Sequence, residues 1–305
     1  MIQKKIHFIN IGQRPFLFVH FLAIFSAHRV NPDYEIIVHL TDEPYGKFWM
    51  LAKQYCRLNH VDRIESIFGN PISNPAHMAD VIRLEALMKE GGIYLDLDVV
   101  CINPFDPLLN NEFVMGREPD SGLCNAVLLA NPDATFLAKW YQNYRDFDTN
   151  RWNYHSVVLP AKMAAEDPSS ITVLDKYSFF YPQAQDPAHL YLWGRKPSLN
   201  DILKRLVKNG LGVLYYGLIK RDSQRMDRYL SFHLIHGARW HYSRARAAYA
   251  IHLWEGFWRV PYLDALDPEY LLTNNSNFAR LMRDVLGEGA IEQLENDCQS
   301  GMEHA

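Results

Sequence analysis

The residues with chemistry to offer lie together in Asp80–Cys101, DVIRLEALMKEGGIYLDLDVVC. Asp80 and Arg83 stand three apart, so on a helix they share a face. Asp96 and Asp98 follow a short apolar run, and alternation along a strand puts both carboxylates on one face. Two adjacent carboxylates repel each other and are costly to bury. A divalent cation relieves both problems. Oxygen ligands favour Mg²⁺ or Mn²⁺, ions that keep coordination positions for the phosphates of a nucleotide. The stretch reads as a metal site for a diphosphate.

Each feature also has a plainer reading. Asp80 with Arg83, taken alone, is an exposed ion pair worth under ~1 kcal/mol. One helix upstream of the acidic pair, the two also read as pocket residues that hydrogen-bond a polyhydroxylated ligand. Asp96-x-Asp98 fits phosphatases whose first aspartate is the nucleophile. Those enzymes need a downstream lysine and a second acidic cluster, and no Asp-Asp or Gly-Asp pair follows here. His252, in AYAIHLWEGFW, is either a satisfied core histidine or a third metal ligand, with Glu255 a competing oxygen ligand. Asn125 is a turn residue or a contact to a sugar hydroxyl. His155-Ser156 resembles a helix start. His233, His236 and His241 invite a zinc reading that lacks cysteines and a fourth ligand. There is no Walker loop, GxGxxG or GxSxG.

The elements that must position these residues alternate. Strands are expected at Lys5–Ile11, Tyr34–Leu40, Val61–Ile67 and Ile93–Leu97, with helices over 15–28 and 44–56 between them. Asn74-Pro75 has the cap and first-turn signature of a helix running to Glu90 and stopped by Gly91-Gly92. This alternation predicts a parallel α/β sheet, whose ligands bind at the carboxyl ends of strands, where Asp96 and Asp98 lie. Further on, strands are expected at 112–116, 125–130, 171–173 and 179–181. Helices are expected over 134–144, 155–166 and 199–208, followed by an acidic helical segment from Asn274. No repeat or linker interrupts the chain, so one continuous domain over 1–305 is expected. Within it, residues 1–130 hold the acidic pair, and 131–305 include a C-terminal helical, aromatic extension.

With 305 residues, 48% of them hydrophobic, the chain has the make-up of a soluble globular protein. A net charge of −4 argues against a general nucleic-acid binder. Cys56, Cys101, Cys124 and Cys298 show no CxxC pair, and a buried thiol is expected at Cys101. The apolar run Phe16–Ala27 is too short to span a bilayer and carries His20, and no signal peptide is evident. A cytoplasmic protein is expected. A local basic excess (Lys220, Arg221, Arg225, Arg228, Arg239, Arg244, Arg246) reads first as a solvated helix face. Interleaved with or after it come Trp240, Tyr242, Trp254, Phe257, Trp258 and Tyr262. The whole 220–262 region could therefore meet a sugar acceptor or the inner face of a membrane as a peripheral contact.

KKIHFINIG, HMADVIRLEALMKEGGIYLDLDV, CNAVLLA and AIHLW resemble the glycosyltransferases with a DXD-containing sugar-binding region. That group includes capsular-polysaccharide enzymes, alpha-1,4-galactosyltransferases and the yeast mannosyltransferase type. The resemblance implies a GT-A-type fold, a Rossmann-like mixed sheet flanked by helices. It implies a retaining transfer of a hexose from a nucleotide-sugar, UDP-linked in expectation, to a saccharide or lipid-linked saccharide, with Mn²⁺ or Mg²⁺. A role in bacterial surface polysaccharide fits such an enzyme. Residue by residue, the resemblance makes Asp80, Arg83, Asp96 and Asp98 catalytic and gives the metal to Asp98, Asp96 and His252. It sets the donor against Ile9, Asn10, His77, Asp80, Arg83, Tyr94, Asp96, Leu97, Asn125 and Trp254. The family's first strand often ends in an aromatic that stacks on the base; here Asn10 holds that position. The rival classes are the phosphatase-like hydrolase and an inactive nucleotide-sugar-binding module.

Overall fold

The computed structural model describes residues 1–118, 122–184, 188–194 and 238–300. Strands β1 (Lys5–Asn10), β2 (Glu35–Leu40) and β3 (Arg57–His60) alternate with helices α1 (Phe18–Val30) and α2 (Lys47–Ala52). Helix α3 (Pro75–Glu90) leads into β4 (Gly92–Leu95), and β5 is Val99–Cys101. The long strands β6 (Phe113–Glu118) and β7 (Gly122–Ala130) follow, then α4 (Thr135–Gln142), α5 (Leu159–Glu166) and β8 (Thr172–Leu174). Seven strands form one sheet in the order β8-β6-β7-β4-β1-β2-β3. All neighbours are parallel except at β7, which runs antiparallel to both β4 and β6. The sheet is thus mixed and flanked by helices, whereas alternation alone had predicted a parallel one. Helices separate β1, β2 and β3, but β6 returns directly as β7, and a short connection of that kind closes an antiparallel pair.

Alternation of β1 divides the core. Ile6 and Phe8 face α1, with its Phe21 and Leu22, while Ile9 faces α3, packing with Met78, Val81 and Ile82. Helix α1 is buried nearly all round, because Phe278, Leu281 and Met282 of a C-terminal helix (Asn277–Leu286) join the same cluster. The expected helical C-terminal extension is present, and it packs back on the first helix. Helix α3 starts where its cap predicted: the Asn74 side chain accepts from the Ala76 N–H at 2.8 Å, with Pro75 in the first turn.

The Gly91-Gly92 stop is steric as well as conformational. Gly92 has φ +108°, and a Cβ there would meet the Lys5 carbonyl oxygen at 2.7 Å. Gly92→Ala is therefore expected to cost about 3 kcal/mol through the strained φ and the backbone clash, read as a lower urea midpoint. An unchanged midpoint would show that β4 can shift.

Several expected elements moved. The third strand is Arg57–His60, four residues before Val61, because an edge strand with half-buried Leu58 and Asn59 carries no apolar alternation. The 44–56 helix is shorter, Lys47–Ala52 plus a turn of 3₁₀ helix. Residues 179–181 form no strand; the Ser178 and Phe179 carbonyls instead accept from Tyr249, Ala250 and His252. The 155–166 helix opens with a π-turn at Tyr154–Val158. The 199–208 helix, Lys220, Arg221, Arg225, Arg228, His233, His236 and the Arg239 side chain lie outside the described residues. Cys101 is buried, as expected. Among the described residues no helix is long and apolar enough to cross a membrane.

One buried pair in the sheet sets a pH dependence. Asn59 donates to His39 Nδ1 (2.9 Å), so His39 Nε2 donates to His7 Nδ1 (3.0 Å) and His7 Nε2 donates to the Gly91 carbonyl (2.9 Å). The chain is complete only with both rings neutral. Burial, and then the neighbouring His7, push His39 down to about 4; burial lowers His7 too. An unfolded histidine titrates near ~6.5. Between there and about 4 the unfolded chain binds more protons, so stability is full above the unfolded value and falls as pH drops through this window. His39 alone contributes about 3 kcal/mol of that loss. Urea unfolding should weaken from about pH 6.5 downward, with a shallower slope in His39→Asn; a flat curve from about pH 7 to 5 would contradict this.

Candidate active site

Asp96 and Asp98 do not share the face of a strand. β4 ends at Leu95, and Asp96-Leu97-Asp98 form a turn closed by the Val99 N–H on the Asp96 carbonyl (3.0 Å). The turn carries the two carboxylates to one side and drives Leu97, 5% exposed, into the core. β5 then pairs antiparallel with β9 (Ala250–His252), setting His252 opposite Val99. That pairing delivers a residue from the far end of the sequence to the acidic turn. The ligand atoms of Asp96, Asp98 and His252 lie within 4.8 Å of one another.

Asp98 is held on several sides. Its carbonyl accepts from Leu253 N–H (2.8 Å), and its Oδ2 accepts from Glu255 N–H (2.7 Å) and meets His252 Nε2 at 3.2 Å. Burial opposes its charge, yet His252 and the Glu255 amide outweigh burial and hold the carboxyl well below its usual range. Burial likewise opposes the imidazolium, and Asp98 raises His252. Among the described residues, the buried His252 Nδ1 has no hydrogen-bond partner, so they leave the ring unsatisfied. Glu255, the competing ligand of the sequence reading, directs its own carboxylate elsewhere, to His20 at 3.1 Å.

Arg83 is the hub of the other half. It is 5% exposed and is no surface ion pair. Its NH2 meets Asp80 Oδ1 at 3.1 Å; its NH1 meets Asp96 Oδ1 at 3.2 Å and the Asn125 carbonyl at 2.8 Å; its Nε donates to Ala79. The guanidinium lies over the Tyr94 ring, 4.4 Å from its centre, and the Tyr94 hydroxyl donates to Asp96 Oδ1 at 2.5 Å. Asn125 donates to Asp80 Oδ1 at 2.7 Å. Burial would lower the guanidinium pKa, but Tyr94, Asp96 and Asp80 reverse that and raise it; burial raises Asp80. These bonds use one oxygen of each carboxylate. Among the described residues, Asp80 Oδ2, Asp96 Oδ2 and Asp98 Oδ1 accept no protein hydrogen bond.

Of the other donor-site residues, His77 lies one turn before Asp80, its Nε2 donating to the Trp152 carbonyl at 3.1 Å. Ile9, 6% exposed, packs in the core. Asn10 is fully buried; its amide donates to the Gly12 and Asp42 carbonyls and its Oδ1 accepts from Arg14, so its side chain braces the loop after β1. The Trp254 ring packs against His252 at a tilt of 40°, with ring centres 4.1 Å apart, and its indole donates to the Pro182 carbonyl. His241 stacks with Tyr181 and Tyr191 and forms no metal cluster among the described residues. His155 sits in the π-turn, its Nε2 accepting from Asp148 N–H.

Sequence reading missed two features. Trp152 is 62% exposed with its ring against His77, a platform on which a sugar can stack. His20, buried in α1, reaches Glu255 beside Asp98, and the signal was available: a histidine inside an apolar helix needs a partner.

Residues 20–114 match the family described as "Glycosyltransferase sugar-binding region containing DXD motif". Glucan organizing enzyme 1 of Cryptococcus neoformans is 31% identical over 277 residues, 88% of this chain and 64% of that protein. Inositol phosphoceramide mannosyltransferase 3 of Schizosaccharomyces pombe is 29% identical over 182 residues, 58% of this chain and 45% of that protein. The chain thus spans less than two-thirds of the length of either relative. Among solved structures, the glycosyltransferase GlyE of Streptococcus pneumoniae aligns over 97% of this chain and 64% of its own, at 12% identity and a TM-score of 0.46. The acidic turn and its arginine hub fall within the matched stretch, so residues 20–114 carry a glycosyltransferase sugar-binding region containing the DXD motif.

Proposed function

We propose that the chain transfers a hexose from a nucleotide-sugar to a saccharide or saccharide-bearing lipid, with retention and with a divalent cation, Mn²⁺ or Mg²⁺. The observation that carries this reading is the convergence of Asp96, Asp98 and His252, each with a ligand atom near the others. The donor set fits such an ion: two carboxylate oxygens and an imidazole nitrogen that have no partner among the described residues. When bound, the cation would neutralise the charge developing on the leaving diphosphate.

The chain's own residues hold the sugar and keep the site in shape. Asp80 Oδ2 is positioned to accept a hydroxyl hydrogen from the donor sugar, with Asn125 and Arg83 fixing its other oxygen. Arg83 and the Tyr94 hydroxyl pin Asp96 through Oδ1 and leave Oδ2 for the ligand. Positioning of this kind supplies several kcal/mol of barrier reduction, on the order of what bound reactants gain from fixed geometry. The turn offers no separate nucleophile, which favours attack from the leaving-group face, with a diphosphate oxygen taking the acceptor proton. Mannosyl transfer, for which the S. pombe relative is named, makes GDP-linked donors as worth testing as UDP-linked ones. The expected role in bacterial surface polysaccharide takes no support from these relatives, which are fungal. A cytoplasmic location, with peripheral membrane contact through the basic and aromatic 220–262 region, belongs to the same proposal.

Product analysis tests the reading. A transferase yields a glycoside whose anomeric configuration, read by proton NMR, matches the donor. Release of phosphate from phosphomonoesters with an acyl-phosphate on Asp96 would replace it with the hydrolase, and donor binding without turnover would leave a binding module.

A further inference from the structure

We infer that His20 and Glu255 form a clamp that fixes the carboxylate of Asp98 in the orientation a cation needs; this rests on the reading of Asp98 as a cation ligand. His20 is 1% exposed and sits in the first turn of α1, far in sequence from the acidic turn. The Leu17 N–H donates to His20 Nδ1 (3.1 Å), which leaves the ring hydrogen on Nε2. Among the described residues that hydrogen has one target, Glu255 Oε2 at 3.1 Å. The Phe16 ring packs edge-to-face with the imidazole, 5.1 Å between centres, an apolar contact that leaves the Nε2 hydrogen bond as the imidazole's tie to Glu255.

What the clamp holds is an unfavourable stretch of backbone. Trp254 has φ 50° and ψ 54°, a left-handed conformation that a bulky residue adopts only under constraint. Both sides of it are tied: the indole donates to the Pro182 carbonyl at 2.9 Å, and the next side chain, Glu255, is held by His20. The result of the left-handed turn is that the Glu255 N–H meets Asp98 Oδ2 at 2.7 Å. With Oδ2 engaged there, Oδ1 is the oxygen left for a ligand. If the clamp is removed, the segment is free to relax, the amide leaves Asp98, and the carboxylate loses its fixed orientation. Groups that orient a metal ligand commonly change metal affinity 10–100-fold.

The rival is that Glu255 is itself a ligand, and two substitutions separate the readings. Glu255→Gln keeps an acceptor for His20 and makes a poor ligand. His20→Phe fills the same space and removes the donor. Mn²⁺ binding to the full chain, followed by isothermal titration and by the EPR signal of free Mn²⁺, is the readout, with Phe16→Leu as the comparison for lost packing alone. The clamp predicts Mn²⁺ affinity about tenfold or more weaker in His20→Phe. It predicts Glu255→Gln within about threefold of the unaltered protein, and Phe16→Leu unchanged even as its thermal midpoint falls. Unaltered affinity in His20→Phe overturns the clamp alone. A larger loss in Glu255→Gln than in His20→Phe overturns it in favour of a Glu255 ligand. No Mn²⁺ binding by the unaltered protein overturns the cation reading and the clamp with it.

Discussion

Asp98→Asn is expected to lower nucleotide-sugar turnover about a thousandfold, roughly 4 kcal/mol of transition-state stabilisation, while leaving the fold in place. The two side chains have the same shape, and an asparagine oxygen can still accept the Glu255 N–H now bound by Oδ2. What disappears is the charge, which His252 and that amide hold well below the usual carboxylate range against burial. Nucleotide release at saturating Mn²⁺, beside a thermal melt, measures both halves of the expectation. A loss of less than about tenfold would mean that Asp98 carries no transition-state charge stabilisation. Asp96→Asn separates less cleanly, because Asp96 Oδ1 also closes the Tyr94 and Arg83 contacts and its loss disturbs structure and site together.

Arg83→Met has the largest expected effect on stability, about 3–5 kcal/mol. Asp80 is 7% exposed and would be left without its cation, and Asp96 and the Asn125 carbonyl would each lose a donor. The exposed ion pair that the sequence spacing alone suggests is worth under ~1 kcal/mol, so the two readings differ severalfold and urea unfolding distinguishes them. Asp80→Asn in the Arg83→Met background should recover part of the loss, because the remaining buried charge goes; strict additivity would show that the two residues do not interact. Arg83→Lys is expected to rescue poorly, since one ammonium cannot span Asp80, Asp96, Asn125 and Ala79 as the planar fork does.

What could be read from the sequence was what local chemistry specifies. Asn74, Pro75 and Gly91 carry the cap, first-turn and stop signals of α3, and the helix spans Pro75–Glu90 as those signals require. β1 and β2 are buried apolar strands, and they appear within a residue or so of where periodicity put them. The edge strand β3 was missed because Arg57-Leu58-Asn59-His60 is half in solvent and needs no apolar pattern. The reversal at β7 was missed because the direction of a strand depends on its connection and not on its composition.

The same division holds in the site. Asp80, Arg83, Asp96 and Asp98 were legible from type and spacing, but the reason given for the last two was wrong: a turn unites them, not strand alternation. Arg83 was expected to touch the sugar, and most of its donors instead go to Asp80, Asp96, Asn125 and Ala79. That network depends on β7 lying beside β4, a tertiary fact no spacing encodes. Asn10 marked a departure at the base-stacking position, and the structure gives the residue there a buried, loop-bracing side chain. Arrival of His252 beside Asp98 depends on the β5–β9 pairing, which sets His252 opposite Val99 although the two lie far apart in the sequence. His20 was read only as an interruption of an apolar run, although its burial in such a helix demanded a partner that proved to be Glu255.

The most direct test of the central claim is a donor panel. The protein is incubated with Mn²⁺ and each common UDP- and GDP-sugar, and nucleotide release is followed without acceptor. The account predicts slow release from one donor, abolished by EDTA and in Asp98→Asn, with Mn²⁺ restoring the rate after EDTA is removed. Release that is indifferent to EDTA and to Asp98→Asn, or no release and no cation-dependent donor binding across the panel, would contradict it.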